Sequence, residues 1–455
     1  MDGMEKKSDM KDRAGRPILG NLVWAVLLAL VLACGHGNAW AQGAPAGAAA
    51  PAAAGAPAAA APAPAASATP AAAAAAPTPV PPLSSPAMTG PLVMASPHEI
   101  NIPKYAPFLS DLPAPVANLF DFDVNLVASG IGIFQNHAVV GDFYNRIDVS
   151  NAMAIIQKAD GVIQYYLQVG GYGLPALGTP YVNLAKAVNR LYGVLPEAYL
   201  KIAPTDNFSI EAGNLPTLFG AEYTFTFENM NIERGLLWNQ ENVINRGLQL
   251  NYTYGPLAAS VSWNNGFYSH SYTWVDGSLA WTINPQNTLS IVGGGNAGFA
   301  ASNNFATPLL NNNGQIYNVI YTYNAAPIVI TPYFQETNIP YNPEIGVNKS
   351  TQTISGAILA SYAITDKISM AGRAEYLGTT GNENSPKGSA ANLLYGVGSD
   401  AFSFTLTPTF QWNQFFFRGE VSYVQANSYA PGAVFGKEGN NNSQVRGLIE
   451  TGVIF

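Results

Sequence analysis

The chain ends in Val445-Arg446-Gly447-Leu448-Ile449-Glu450-Thr451-Gly452-Val453-Ile454-Phe455, a stretch that alternates between two characters. The odd positions from Val445 carry no charge, whereas the even positions include Arg446 and Glu450. A period of two indicates a β-strand whose successive side chains point to opposite faces. Because a soluble core would exclude both charges, we expect one face to meet a wet lumen and the other to meet lipid. The alternative is an amphipathic edge strand of a soluble sheet.

The overall composition favours the membrane alternative. Only 11% of the 455 residues are charged, against roughly 25% in soluble globular proteins. Hydrophobic residues make up 48% of the chain, yet outside the N-terminus no run approaches the ~20 apolar residues of a membrane helix. Dispersed hydrophobicity of this kind is typical of a transmembrane β-barrel.

Residues 1–41 resemble a secretory signal peptide. Basic residues precede an apolar stretch from Leu22 to Ala33, and Ala39-Trp40-Ala41 has the small-residue pattern of a cleavage site. The only cysteine, Cys34, lies inside this segment, so the sequence leaves open whether it is lipidated or removed. Removal of residues 1–41 takes away five basic and four acidic residues, which leaves 15 against 24 and a net charge of −9. This acidity argues against nucleic-acid binding.

Residues 42–118 are assigned to a leader in the periplasm, the compartment beneath the outer membrane. Ala and Pro dominate this segment up to about residue 96. Frequent Pro prevents a continuous helix and predicts a semi-rigid, extended linker. Contact between the leader and the cell wall is a partner hypothesis, and a spacer without any partner is its alternative.

From residue 119 onward, short turns alternate with long polar stretches. The seven short turns are Asp160-Gly161, Pro204-Thr205-Asp206-Asn207, Gly255-Pro256, Asn284-Pro285-Gln286-Asn287, Ala325-Ala326-Pro327, Thr365-Asp366-Lys367 and Asn413-Gln414. Seven hairpins plus an opening and a closing strand give sixteen strands. The predicted fold is therefore all-β: an antiparallel transmembrane β-barrel of about sixteen strands over residues 119–455, with both termini and all short turns on one side.

The two predicted faces are clearest near the C-terminus. Phe402, Phe404, Leu406, Phe410 and Trp412 alternate with Ser403, Thr405, Thr407, Thr409 and Gln411. We expect the first set to face lipid and the second to face water. Pro332 and Pro408 interrupt predicted strands, and each removes a ladder hydrogen bond or marks a bulge.

Residues 119–455 resemble the OmpL-like β-barrel porins of Gram-negative bacteria. The local match is Gly213-Asn214-Leu215-Pro216-Thr217-Leu218-Phe219-Gly220-Ala221-Glu222 after the fifth strand, with Glu197-Ala198-Tyr199-Leu200 before it and Arg246-Gly247 after it. The resemblance implies a non-enzymatic channel in the outer membrane, in contact with its lipid. It also implies that Phe455 is a signal for the barrel assembly machinery. Monomer and homotrimer both stay open.

In sixteen-stranded porins the third external loop typically folds into the lumen. Here that loop is predicted at 214–245, and it is predominantly acidic. Its candidate constriction residues are Glu222, Glu228, Glu233 and Arg234, and the candidate lining residues from the strands are Lys201, Glu211, Arg373, Glu375, Arg418, Glu420, Arg446 and Glu450. Charges of both signs at one waist would favour passive diffusion of small polar solutes and ions, with weak cation preference.

Three other functions compete with a general pore. Tyr223, Phe225, Phe227 and Trp238 in the third loop would either stack sugar rings, as in a sugar-specific channel, or pack the loop onto the wall. A structural or adhesive barrel would need no open lumen. An enzyme is disfavoured because only His137 and His270 offer a base in the barrel segment. No spacing in the sequence indicates a metal or another cofactor.

Overall fold

The computed structural model describes residues 90–94, 98–104, 109, 112, 114–380 and 394–455. The predicted signal peptide 1–41, Cys34 and most of the predicted linker 42–118 lie outside these residues. A short strand, β1 (His98–Asn101), precedes sixteen longer ones. These are β2 (Asp121–Gln135), β3 (Asn145–Lys158), β4 (Ile163–Tyr172), β5 (Glu197–Thr205), β6 (Phe208–Pro216), β7 (Ile244–Tyr254), β8 (Leu257–Asn264), β9 (Trp274–Asn284), β10 (Asn287–Asn296), β11 (Gln315–Ala325), β12 (Ile328–Ile339), β13 (Thr351–Ala363), β14 (Ile368–Thr379), β15 (Asp400–Trp412), β16 (Phe415–Asn427) and β17 (Ser443–Ile454).

Strands β2 to β17 form a closed antiparallel ring. Each strand pairs with its neighbours in sequence, and β17 returns to pair with β2. Closure leaves every barrel strand with a partner on both sides, as a sheet surrounded by lipid requires. The predicted antiparallel barrel of sixteen strands is therefore confirmed.

All seven predicted short turns connect the strands that the sequence assigned to them. The eight long connections lie at the opposite end of the barrel. The third of them, hereafter the third loop, covers residues 217–243 and has 27 residues counted inclusively. The second loop covers residues 173–196, which makes 24.

The two faces of the strands follow the predicted parity. In β15, Phe404, Leu406 and Phe410 are exposed on the outside, whereas the hydroxyl residues between them are buried inside. Outward aliphatic and aromatic side chains recur around the ring, from Leu126 on β2 to Ile449 on β17. The barrel thus presents an apolar belt to its surroundings and polar side chains to its interior.

Pro332 and Pro408 interrupt the ladder without shifting it. On β12 the pairing with β11 skips from Tyr333 to Ile330, and on β15 the pairing with β16 skips from Leu406 to Thr409, each in unchanged register. Each proline therefore costs local hydrogen bonds on one side and is not a bulge, because a bulge would change the register.

The helices are short. They are α1 (Ala114–Ala117), α2 (Leu184–Arg190) and α3 (Leu309–Asn312), together with single 3₁₀ turns. The Asn183 side chain caps α2 by accepting from the Lys186 amide at 2.9 Å. Within the described ranges, no helix has the length and apolar character to cross a membrane.

The two ends of the barrel sequence meet at one edge of β2. The Phe455 amide donates to the Leu126 carbonyl at 2.8 Å, and the Leu126 amide donates back to the Phe455 carbonyl at 3.0 Å. Asn125 Nδ2 donates to the same Phe455 oxygen at 3.0 Å. Immediately beyond, β1 pairs with Asp121–Val124 of β2. The last residue therefore completes the ladder that closes the ring.

We predict that deletion of Phe455 reduces assembly into bacterial outer membranes much more than Phe299→Ala, which removes an exposed phenylalanine from a long loop. The deletion takes away the reciprocal pair with Leu126 and an outward aromatic ring. Assembly is measured as heat-modifiable protein in outer-membrane fractions. Equal assembly of the two variants would contradict the assigned role.

Candidate functional site in the barrel lumen

The third loop folds into the barrel rather than over its rim. It is buried along most of its length, from Leu218 to Val243. It is shorter at both ends than the predicted 214–245, because Asn214, Leu215 and Pro216 pair with Arg246, Asn245 and Ile244 and so extend the two flanking strands.

Apolar side chains of the third loop pack against inner walls on two sides. Phe225, Phe227 and Trp238 belong to a cluster with inward residues of β2 to β5, β16 and β17. Leu218, Phe219 and Leu237 belong to another cluster with inward residues of β9 to β14. The loop therefore bridges the lumen. Three of the four aromatic residues that could have stacked sugars are buried in wall contacts, and Tyr223 is partly buried.

Arginine and glutamate side chains recur at inward positions of three strands. The pairs are Arg373 with Glu375 on β14, Arg418 with Glu420 on β16, and Arg446 with Glu450 on β17. Spacings of two or four residues place both members of each pair on the same face of a strand. All six are nearly fully buried. They form one wall of charge against which the third loop lies.

Arg418 binds the backbone of the third loop at the tip of that loop. Its guanidinium donates to the carbonyls of Thr226 at 2.9 Å, Asn229 at 2.9 Å and Met230 at 2.8 Å. Arg418 Nη1 also lies 3.4 Å from Glu450 Oε2 on the neighbouring strand. The planar, multidentate guanidinium suits this geometry, since a lysine could not satisfy three carbonyls in one plane.

Arg446 and Arg373 hold the middle of the loop through its carboxylates. Arg446 pairs with Glu233 and also donates to the second-loop carbonyls of Ala176 and Thr179, both at 3.1 Å. Arg373 Nη1 lies 2.6 Å from Glu222 Oε1 and donates to the Glu233 carbonyl at 2.6 Å. The second loop is thereby tied to the same wall, a role that the sequence did not predict.

The three wall glutamates accept hydrogen bonds from the third loop. Glu450 accepts from the Thr226 hydroxyl at 2.6 Å. Glu420 accepts from the amides of Ile232 at 2.5 Å and Glu233 at 3.0 Å. Glu375 accepts from the Leu237 amide at 3.3 Å. Backbone donors and acceptors that would be costly to bury alone are thus satisfied by charged partners.

The remaining acidic residues of the loop have no cationic partner at ion-pair distance among the described residues. Glu228 accepts a hydrogen bond from Gln168 Nε2 at 3.2 Å. Part of the Glu228 surface stays exposed, but burial of its carboxyl inside the barrel raises the pKa to about 7. Glu241 has neither carboxylate oxygen in a hydrogen bond. Its burial, with Glu222 and Glu375 nearby, raises its pKa well above the usual range.

Arg234 occupies the centre of this network without a direct ion pair among the described residues. Its guanidinium lies 5.6 Å from the Trp238 ring centroid and donates to the Ile232 carbonyl at 3.4 Å. Burial lowers its pKa to about 10, although Glu222, Glu450 and Glu233 raise it. The residue stays cationic at neutral pH.

Lys201 and Glu211 lie apart from this network. They are partners across β5 and β6, with Nζ and Oε1 3.8 Å apart. Lys201 lines a cavity of about 640 Å³ at the short-turn end, together with Lys158, Tyr166, Tyr199 and Ser260. The structure thus brings ten of the twelve predicted charged residues together around the third loop and separates these two.

Most of the ten gathered charges contact each other directly. Cross-strand pairing explains one of these contacts, because Arg418 stands directly opposite Glu450 in the ladder. The path of the third loop explains two others, since it brings Glu222 to Arg373 and Glu233 to Arg446. Sequence reasoning also missed Gln135, which accepts from Arg446 Nε at 2.8 Å. Its inward parity on β2 was the available signal. Over the described residues, no group of His, Cys, Asp and Glu could hold a metal ion.

A closed sixteen-stranded barrel with an apolar outer belt and loops folded inside has the architecture of an outer-membrane channel. The chain belongs to the family described as "Putative beta-barrel porin-2, OmpL-like", whose model matches residues 123–455. The protein is thus an outer-membrane porin-like β-barrel, a channel and not an enzyme.

Several solved structures are similar in outline. A loop L8 deletion mutant of OmpT from Vibrio cholerae is 11% identical and covers 73% of this chain and 99% of its own, with a TM-score of 0.49. The channel DcaP of Acinetobacter baumannii is 11% identical, with coverage of 74% and 97% and a TM-score of 0.49. An anion-selective porin from Comamonas acidovorans is 10% identical, with coverage of 73% and 99% and a TM-score of 0.47. No curated protein matches the sequence.

We predict that Arg418→Met releases the tip of the third loop. The substitution removes the guanidinium that three loop carbonyls and Glu450 share, and breaking a buried pair in this way costs about 3–5 kcal/mol. Denaturant unfolding in detergent micelles measures the loss of stability, and trypsin cleavage after Arg234 reports loop release.

Lys201→Met is the matched control, because it also breaks an inward charge pair but has no hydrogen bond or ion pair with a described residue of the third loop. It should lower stability less and leave Arg234 protected. Equal rates of trypsin cleavage in the two variants would contradict the role of Arg418 in holding the loop tip.

Proposed function

We propose that the protein is a narrow, water-filled channel for passive diffusion of small polar solutes and ions, with the third loop as its constriction. One observation carries the proposal: the loop crosses the lumen and is fixed to the wall by Arg373, Arg418 and Arg446. A loop held by buried charge-assisted bonds gives a constriction of stable width. Under this proposal the partners are outer-membrane lipid and the barrel assembly machinery, with a homotrimer and a cell-wall contact left open.

The charge balance at the constriction supports a weak preference for cations. Seven glutamates and four arginines lie on the third loop and the adjacent wall. The glutamates outnumber the arginines by three, and still by two when Glu241, whose pKa is raised well above its usual range by burial, holds a proton, so the net local charge is acidic. Glu222, Glu228, Glu233, Glu241, Glu375, Glu420 and Glu450 are the acidic members. A net negative constriction attracts cations and repels anions in proportion to its charge.

The space below the constriction supports a route to the short-turn, periplasmic end. The cavity of about 640 Å³ there is lined by the polar residues Gln157, Asn251 and Ser260 and by Tyr166 and Tyr199. Lys158 and Lys201 lie at its wall, each close to a carboxylate, Asp160 and Glu211. Such a mixed polar surface suits hydrated solutes of either charge.

The two alternatives predict different measurements. A sugar-specific channel needs exposed aromatic rings along its path, and the burial of Phe225, Phe227 and Trp238 speaks against it. An adhesive barrel needs no conduction at all. A correctly folded barrel that never conducts would favour the adhesive function.

We expect the refolded protein to form channels of small conductance in planar bilayers, with a reversal potential of cation-selective sign in a salt gradient. The physical reason is the acidic excess at a narrow constriction. Liposome swelling should depend on sugar size alone. Clear anion selectivity, or discrimination between sugars of equal size, would overturn the corresponding part of the proposal.

We predict that cation selectivity weakens as the pH falls through about 7, because the Glu228 carboxyl, with its pKa raised to about 7, binds a proton and loses its charge. Above this pH the Glu228 carboxylate is ionised and its full negative charge contributes to cation selectivity. Reversal potentials between pH about 6 and 8 measure the effect. Glu228→Gln should flatten this part of the profile, whereas Glu344→Gln on an exposed loop should leave it unchanged. A pH dependence that persists in Glu228→Gln would assign it to another group.

A further inference from the structure

A short N-terminal segment, residues 90–94 (Gly90-Pro91-Leu92-Val93-Met94), lies inside the barrel. Leu92 is buried in the cluster that contains Val127, Phe416 and Ile454, all inward residues of the wall. Met94 packs against the same cluster. The segment belongs to the predicted periplasmic linker 42–118, yet the chain changes there from Ala and Pro to larger apolar residues. These residues pack on an apolar patch of the inner wall.

Reciprocal hydrogen bonds hold the segment at Val93, and Gly90 packs closely against the third loop at its other end. The Val93 amide donates to Gln411 Oε1 at 2.8 Å, and Gln411 Nε2 donates back to the Val93 carbonyl at 2.7 Å. Gln411 lies on the inward face of β15, next to the short turn. At the other end, a Cβ placed on Gly90 would lie 2.9 Å from the carbonyl oxygens of both Glu228 and Asn229. The segment therefore extends from the periplasmic rim to the tip of the third loop.

The chain after the segment is also attached to the barrel. Strand β1 pairs with Asp121–Val124 of β2, at the edge just beyond the Phe455 pairing. This ladder anchors the residues that follow the segment at the rim. The anchorage limits how far residues 90–94 can move from the lumen even when their own contacts break.

We propose that residues 90–94 form a plug that docks on the inner wall and narrows the periplasmic half of the channel. Its docking site consists of the apolar patch around Val127, Phe416 and Ile454, the Gln411 amide and the underside of the third-loop tip. A cavity beside Tyr166, Tyr199 and Lys201 lies at the same end of the barrel. The narrowing of the channel rests on the proposed channel function, whereas the position of the segment does not.

Cysteine pairing tests the position independently of conduction. Val93→Cys with Gln411→Cys, in a Cys34→Ser background of the full chain, should form a disulfide on mild oxidation, because Cys34 is the only native cysteine and the two residues are in reciprocal contact. Val93→Cys with Ser260→Cys, which lies across the barrel on β8, is the control. Cross-linking is scored by protection from maleimide labelling after denaturation. Equal yields in both pairs, or none in either, would overturn the docked position.

Single-channel conductance tests whether the segment narrows the channel. Replacement of residues 90–94 by an equal-length Gly/Ser sequence in the full chain should raise single-channel conductance by roughly two-fold or more, since the plug takes up part of a narrow path. The same replacement of residues 52–56 in the Ala/Pro stretch is the control and should leave it unchanged. If both variants and the parent conduct equally, the segment is only a brace and the plug is refuted. If all are silent while the Val93–Gln411 pair still cross-links, the channel function fails and the docked position stands.

Discussion

The structure depends on closure of one hydrogen-bond ladder, the pairing of β17 with β2. In lipid an unpaired strand edge would leave a row of donors and acceptors without partners, each at a cost of several kcal/mol. The final pairs between Ile454 and Val127 and between Phe455 and Leu126 carry this closure to the last residue of the chain. The inward parity of the charged residues is tied to the register that closure imposes, since a shift by one residue would turn each of them outward.

Closure creates a second constraint, because sixteen strands enclose an interior that side chains alone do not fill. The third loop occupies it and brings backbone groups that need partners. Charged side chains of the wall are these partners: Arg418 donates to loop carbonyls, and Glu420 accepts from loop amides. A buried ion pair contributes little net stability, whereas removal of one partner costs several kcal/mol. Such an arrangement therefore specifies one position for the loop more than it stabilises the barrel.

The sequence predicted the barrel well because its signals are local. A turn such as Gly255-Pro256 and an alternation such as that of β15 each determine their own hairpin without reference to distant residues. The composition of the site was also predictable, since parity places Arg373 and Glu375 inside. Which wall residue pairs with which loop residue was not predictable. Whether Arg446 faces Glu233 across water or contacts it depends on the path of a loop that carries no period of its own. Lys201 is separated from the other charges for a different reason, because it lies on β5 close to the short turn that begins at Pro204.

One class of residue could have revealed that path. A lumen facing only water would carry polar side chains at every inward position, yet Ile131, Ile133 and Leu448 point inward and are buried. They cluster with Ile232 of the third loop and Tyr181 of the second. Nearer the short-turn end, Val127 and Ile454 point inward and meet Phe225 and Leu92 instead. Exposing such groups to water would be unfavourable by about 25 cal/mol per Å². Inward apolar positions in a wide barrel therefore mark where another part of the chain must pack, and along β2 they trace the second loop, the third loop and the N-terminal segment in turn.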